Sequence, residues 1–151
     1  MKSEAKSELN SDFNWVQVLN ERSKGTFPGL MGLEITAVED GQIWARMLVR
    51  GDLMAPNGFL HAASVIALAD TACGYGTVAN LPAGAEMFTT IELKSNFLGT
   101  AKSGYVSCIA KLAHGGRMTQ VWDATVSDDQ GKTIALFRCT QMILYPKVAQ
   151  V

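Results

Sequence analysis

Ala62-Ala63-Ser64-Val65-Ile66-Ala67-Leu68-Ala69-Asp70-Thr71-Ala72-Cys73-Gly74-Tyr75-Gly76 is the most apolar helical stretch of this 151-residue chain, and Asp70 is its only charge. A helix that is apolar on most sides must be covered on most sides, so whatever surrounds this one decides the fold. The stretch also poses a chemical question. Asp is a weak former in a helix interior, by roughly 0.5 kcal/mol against Ala, and a carboxylate withdrawn from water without a partner is costly or takes up a proton. Asp70 therefore caps a second helix beginning at Thr71, or points to solvent from an outer face, or is an acid with a function.

Outward from this stretch, the helix runs to about Asn80, where Leu81-Pro82-Ala83-Gly84 stops it. Before it, Gly51 to Leu60 is a connection holding the turn tripeptide Pro56-Asn57-Gly58. Further upstream the period is that of strands: Leu33 to Val38 and Ile43 to Val49 flank Glu39-Asp40-Gly41-Gln42, a hairpin signal. Ile43, Ala45, Met47 and Val49 fall on one face, with Trp44, Arg46, Leu48 and Arg50 on the other. Downstream come four strand-like runs, Met87 to Phe97, Ser103 to His114, Arg117 to Ser127 and Lys132 to Tyr145. The short links His114-Gly115-Gly116-Arg117 and Asp128-Asp129-Gln130-Gly131 make the last three an antiparallel meander.

At the N-terminus, Ser11 or Asp12 caps a short helix with Phe13, Val16, Val18 and Leu19 as its stripe, ending near Lys24-Gly25. Thr26 to Gly32, with Pro28, Gly29 and Gly32, reads as a loop. Residues 1–11 read as a frayed tail, which leaves one domain over 12–151. The expected architecture is α+β: a six-stranded antiparallel sheet wrapped around one long central helix, with a short N-terminal helix.

Composition narrows the function. With 48% hydrophobic and 18% charged residues and a net charge of −1, the chain has no electrostatic footprint for nucleic acid or an anionic membrane. Low charge with an apolar excess points to a homo-oligomer. Cys73, Cys108 and Cys139 are odd in number and set in apolar runs, which suits reduced core thiols of a cytoplasmic protein. His61 and His114 have no Cys or His partner at zinc spacing, so no metal is expected. Met1 to Ser11 lacks the apolar core of a secretory signal, and no run approaches the ~20 apolar residues of a membrane span.

The segment Asn57-Gly58-Phe59-Leu60-His61-Ala62-Ala63-Ser64-Val65-Ile66-Ala67-Leu68-Ala69-Asp70-Thr71-Ala72 carries a resemblance. Together with Phe88-Thr89-Thr90-Ile91-Glu92-Leu93-Lys94-Ser95-Asn96-Phe97-Leu98, Gly131-Lys132-Thr133-Ile134-Ala135-Leu136-Phe137 and the element order, it resembles the hotdog-fold acyl-CoA thioesterases of the phenylacetic acid degradation (PaaI-like) family, from about Leu33 to Leu144. That family's pattern has His-Gly-Gly at the helix start and Asp or Glu nine positions after the His, the spacing of His61 and Asp70 here. The resemblance implies a hotdog fold and hydrolysis of an acyl-CoA thioester, with coenzyme A entering as part of the substrate and no separate cofactor. It assigns Asp70 as nucleophile or general base and the Ala62 backbone N–H as the group that polarises the thioester carbonyl. It places Thr90 near the acid, His61 at the helix start, and substrate contacts at Asn57, Gly58, Ala63, Thr71 and Gly74. Arg117 and Lys94 are the cations considered for a coenzyme A phosphate, against their default reading as surface charge. Phe59, Tyr75, Met87 and Phe88 are pocket candidates against a plain core role. Two departures stand out: the Gly-Gly is Ala62-Ala63, and the Asn or Gln that many members place six residues before the His falls at Ala55, with Asn57 only four before it.

Eight residue steps separate Ala62 from Asp70, about 12 Å along a helix axis, too far for both to touch one carbonyl. Two copies packed antiparallel across a twofold axis would bring Ala62 of one opposite Asp70 of the other. The resemblance implies this arrangement, commonly as a dimer of dimers. Ser64, His61 and Asp70 fall on different helix faces, which argues against a triad. The competing readings are a non-catalytic acyl-CoA-binding module and a hydratase or dehydratase on the same fold.

Overall fold

The computed structural model describes residues 13–147; the tail 1–11 and the expected caps Ser11 and Asp12 lie outside the described residues. The cap of the first helix, α1 (Trp15–Ser23), is Asn14, whose side-chain oxygen accepts the Gln17 N–H at 3.1 Å. Leu19 is fully buried and Val16 packs on the core. Phe13 falls before the helix, edge-on to Trp15, and Val18 faces outward, so the apolar stripe is narrower than expected. The expected loop Thr26–Gly32 contains one helical turn, α2 (Phe27–Leu30), because Pro28 sits in its first turn, where the missing N–H has no intrahelical partner to lose.

Six strands follow in one antiparallel sheet: β1 (Leu33–Glu39), β2 (Gln42–Leu48), β3 (Met87–Phe97), β4 (Tyr105–Gly115), β5 (Thr119–Ser127) and β6 (Thr133–Leu144), ordered β1-β2-β4-β5-β6-β3. Alternation decides their faces. Along β2, β4 and β5, buried Ile43, Ala45, Met47, Val106, Cys108, Trp122 and Ala124 line one side and exposed or half-buried residues the other. The β1–β2 turn relies on Gly41, at φ +66°, while Asp40 keeps a negative φ.

The buried side of the sheet holds α3 (Ala62–Ala79), which packs on β2, β4 and β5. It is unbroken through Asp70 and Thr71, so Asp70 is no cap of a second helix. Leu68, Ala69, Ala72 and Cys73 are fully buried. At 18 residues and a mean hydropathy of 1.2, α3 is long and apolar enough to cross a membrane by length and composition, contrary to the sequence expectation; in this fold it is the core helix. After α3 the chain does not continue the sheet beside β2. It lays β3 along the far edge against β6, with a bulge at Ile91 between Thr90 and Glu92. Both faces of β3 are largely exposed.

Candidate active site

The start of α3 is built by its preceding loop. His61 is the N-cap, extended at φ −62° and ψ 136°, and its Nδ1 accepts the Ala63 N–H at 2.9 Å, which places the ring proton on Nε2. Its carbonyl accepts the N–H groups of Ser64 and Val65. The Ser64 hydroxyl donates to the Leu53 carbonyl at 2.8 Å and is buried, so it anchors the helix and is not poised as a nucleophile. Asn57 Oδ1 accepts the Phe59 N–H at 3.2 Å, and Gly58 takes a φ of +84°, so both residues shape the turn that delivers the chain to His61. One donor is left over. The Ala62 N–H has no partner among the described residues, and Ala62 is exposed on an open cavity of about 340 Å³ lined also by Phe59, Leu60, Val65, Phe97, Gly99 and Thr100.

Asp70 lies two turns further along, half-buried in the apolar run. Its Oδ1 is the one buried side-chain oxygen or nitrogen among the described residues without a hydrogen-bond partner. Burial holds its carboxyl above the usual carboxylate range, with no cation nearby to lower it. Thr71 beside it is half-buried. Gly74, one turn on, is buried, and a Cβ there would stand 3.0 Å from the Phe88 ring, so Gly74 and Phe88 pack on each other. Tyr75 directs its hydroxyl to Ser23 Oγ at 2.8 Å and ties α3 to α1, and Met87 is exposed.

Thr90 pairs with Gln141 across β3 and β6, on the α3 side of the sheet. It is two residues along β3 from Phe88, which meets Gly74, one turn along α3 from Asp70. Its hydroxyl proton is directed at Gln141 Oε1, at 2.7 Å, so the group presents lone pairs rather than a donor. Gln141 is fully buried and its Nε2 donates to Cys139 Sγ at 3.4 Å. The neighbouring Cys139 thiol together with burial raises the Cys73 thiol well above its ordinary range; burial pushes Cys108 up to about 12. All three cysteines are free and buried members of the core.

Neither expected phosphate cation borders the cavity. Arg117 follows the β4–β5 turn at the other end of α3, where its carbonyl accepts the Tyr145 hydroxyl at 2.6 Å and its guanidinium lies 5.5 Å from the Tyr145 ring centre. Lys94 faces away from α3, since it pairs with Arg138 while its neighbour Leu93 pairs with the buried Cys139. Lys102 lies outside the lining but touches one of its residues, its Nζ 5.8 Å from the centre of the Phe59 ring. Lys102 and Thr100 were not expected from the sequence. Both lie on the β3–β4 connection, and only the tertiary hydrogen bond from the Leu60 N–H to Thr100 Oγ1, 2.9 Å, brings that connection to the helix start.

Residues 57–135, which contain the helix start, α3, Asp70 and Thr90, match the thioesterase superfamily. The chain belongs to that superfamily. It is a thioester hydrolase with the hotdog fold. Among relatives of this thioesterase, a 1,4-dihydroxy-2-naphthoyl-CoA hydrolase of Listeria monocytogenes is 30% identical over 110 residues, covering 73% of this chain and 89% of that protein. The thioesterase PA1618 of Pseudomonas aeruginosa, solved as a glutamine-to-alanine variant, superposes with a TM-score of 0.84 at 28% identity, over 91% of this chain and 99% of that one. A Staphylococcus aureus thioesterase, also solved as a glutamine-to-alanine variant, gives a TM-score of 0.75 at 31% identity, over 78% of this chain and 97% of that one. A second structure of the Staphylococcus protein carries a glutamate-to-alanine substitution, and its two substituted positions, 32 and 47, lie fifteen apart.

Proposed function

We propose that this thioesterase hydrolyses aryl- or alkyl-CoA thioesters to the free acid and coenzyme A, at sites that two copies of the chain build together. The observation that carries the reading is the buried, unpartnered Oδ1 of Asp70, a half-buried acid in an apolar helix that no bond among the described residues accounts for. Asp70 attacks the thioester carbonyl, forming a mixed anhydride and releasing the coenzyme A thiolate before water completes hydrolysis, or it takes a proton from the attacking water. Both routes put negative charge on the carbonyl oxygen, and the Ala62 N–H at the positive end of α3 is the donor suited to it. The same carboxyl, held above its ordinary range, is a better base near neutral pH than an exposed Asp.

Because Ala62 and Asp70 stand about 12 Å apart along one helix, a single copy cannot bring both to one carbonyl. The edge strand β3 supports the shared arrangement: among the described residues no strand lies beside its outer hydrogen-bonding edge, and Met87, Ile91, Leu93 and Phe97 are exposed along it. Antiparallel pairing of β3 with a second β3 continues the sheet and sets the two α3 helices side by side, with a dimer of dimers as the larger assembly. Lys102 beside the cavity is the cation placed to meet a coenzyme A phosphate. The fifteen-residue interval between the substituted positions of the Staphylococcus protein, counted back from Asp70, reaches Ala55. We read Ala55 as a native alanine where that relative has glutamine.

The test is a thioesterase assay over a panel of aryl- and alkyl-CoA esters with wild type, Asp70→Asn and Asp70→Ala. Hydrolysis by wild type with a loss of about 10²–10⁴ in both variants is the expected result. Binding without turnover by wild type would replace the hydrolase with an acyl-CoA-binding module, and full activity in both variants would move the catalytic acid elsewhere.

A further inference from the structure

Among the residues lining the cavity at the start of α3, Thr100 alone carries a polar side chain. Its oxygen is held in place by the Leu60 N–H at 2.9 Å, two residues before Ala62. A hydroxyl has one proton and two acceptor lone pairs. The Leu60 contact uses a lone pair, and the Thr100 proton has no acceptor among the described residues. Two unused donors, the Ala62 N–H from α3 and the Thr100 O–H from the β3–β4 connection, therefore border one otherwise apolar cavity. Ala55 supplies no side-chain donor of its own.

We propose that the Thr100 hydroxyl is the second hydrogen-bond donor to the thioester carbonyl oxygen, beside the Ala62 N–H. The inference rests on the thioesterase reading and adds to it a catalytic group on a different element. The Leu60 N–H fixes where the hydroxyl oxygen sits, and rotation about Cβ–Oγ1 aims the proton. Accepting one hydrogen bond also polarises the hydroxyl as a donor. No proton is transferred: the hydroxyl holds the charge that develops on the carbonyl oxygen and releases it when the C–S bond breaks and the carbonyl re-forms.

Thr100→Val removes the proton at nearly constant shape, and Thr100→Ser keeps it. Two non-hydrolysable ligands separate donation from structure: a ketone analogue of acyl-CoA with CH₂ in place of sulfur, and a thioether analogue with CH₂ in place of the carbonyl. The expected result for Thr100→Val is a fall in kcat of about 10- to 100-fold with KM changed less than about threefold. Ketone affinity should weaken about tenfold, with thioether affinity unchanged, and Thr100→Ser should restore both readouts. Equal weakening of both analogues, full activity in Thr100→Val, or a Ser variant as impaired as Val would overturn the donor role. If wild type hydrolyses no ester while Thr100→Val still weakens only the ketone, the hydrolase reading fails and the donor stands. Intact wild-type hydrolysis with no discrimination between analogues leaves the hydrolase reading and removes the donor.

Discussion

At the C-terminal end of α3, the polar groups of Asn80 are tied into the fold: its Oδ1 accepts the Gly41 N–H at 3.2 Å, its Nδ2 donates to the Gly76 carbonyl at 2.8 Å, and its own carbonyl accepts Gln120 Nε2 at 2.7 Å. Gln120 in turn accepts the buried Trp122 indole N–H at 2.9 Å. At the N-terminal end, the cap is just as well made by His61, yet the Ala62 N–H and the Thr100 hydroxyl proton have no acceptor among the described residues and border one open cavity. Both ends belong to one helix and face the same solvent. The difference is that the first end uses its polar groups to hold the sheet and helix together, whereas the second leaves two donors that hold nothing together among the described residues.

The sharpest way to break this contrast is Ala62→Pro. Proline is accepted at the first helical position, and His61 already has the extended backbone that a following proline requires, so the change removes one N–H and little else. We expect kcat to fall by about 10²–10³ in a steady-state assay with the melting temperature nearly unchanged. The C-terminal end should respond in the opposite sense. Gly76→Ala puts a Cβ 2.6 Å from the fully buried Trp122 ring, and Gln120→Leu leaves the Trp122 N–H and the Asn80 carbonyl without partners. Each should lower stability by about 1–3 kcal/mol in denaturant titrations, with kcat per folded molecule unchanged.

Asp70 lies between the ends and should show the cost of a half-buried acid in an apolar helix. Its pKa is raised on folding by burial, so the folded chain holds that proton more tightly than the unfolded chain. The stabilising effect is complete below the unfolded value of about 3.9 and is lost as pH rises through the raised folded value. Asp70→Asn removes this slope, and melts across pH should find it more stable than wild type near neutrality, by about 2–4 °C, with the gap closing in acid. The smallest effect is expected away from α3, at the exposed ion pair where Asp123 receives Arg138 Nε and Nη2 at 2.5 and 2.7 Å. That bond holds the Asp123 carboxyl below its usual range, but Asp123→Asn should change stability by less than about 1 kcal/mol and leave activity alone.

Elements with a strong period were legible in the sequence. The alternation in β2 and β5, the apolar run of α3 and the Asp40-Gly41 turn all express local rules, and the sheet and central helix followed from them. Where two local signals competed, the reading slipped: Pro28-Gly29 marks a loop as readily as a first helical turn, and Asn14 lay one turn inside the polar stretch that offered Ser11 and Asp12 as caps. The site was legible only along α3. His61 and Asp70 are joined by one helix, so their spacing carries meaning. Thr100 reaches the cavity, and Lys102 the Phe59 ring beside it, through a hydrogen bond spanning forty residues of sequence, and no period reports that. Lys94 and Arg117 lie away from that cavity for the complementary reason: a strand's two faces and a helix's two ends decide their distance from Ala62, not their charge.

The central claim is that Ala62 of one copy works with Asp70 of another, and subunit mixing tests it most directly. Ala62→Pro and Asp70→Asn, each inactive alone, are unfolded and refolded together, and thioesterase activity is followed with the mixed species separated by distinct tags. A shared site gives each mixed dimer one doubly damaged and one intact site, so an equimolar mixture should recover about a quarter of wild-type activity. Mixed dimers that form and stay inactive would place both groups in the same subunit's site and contradict the account.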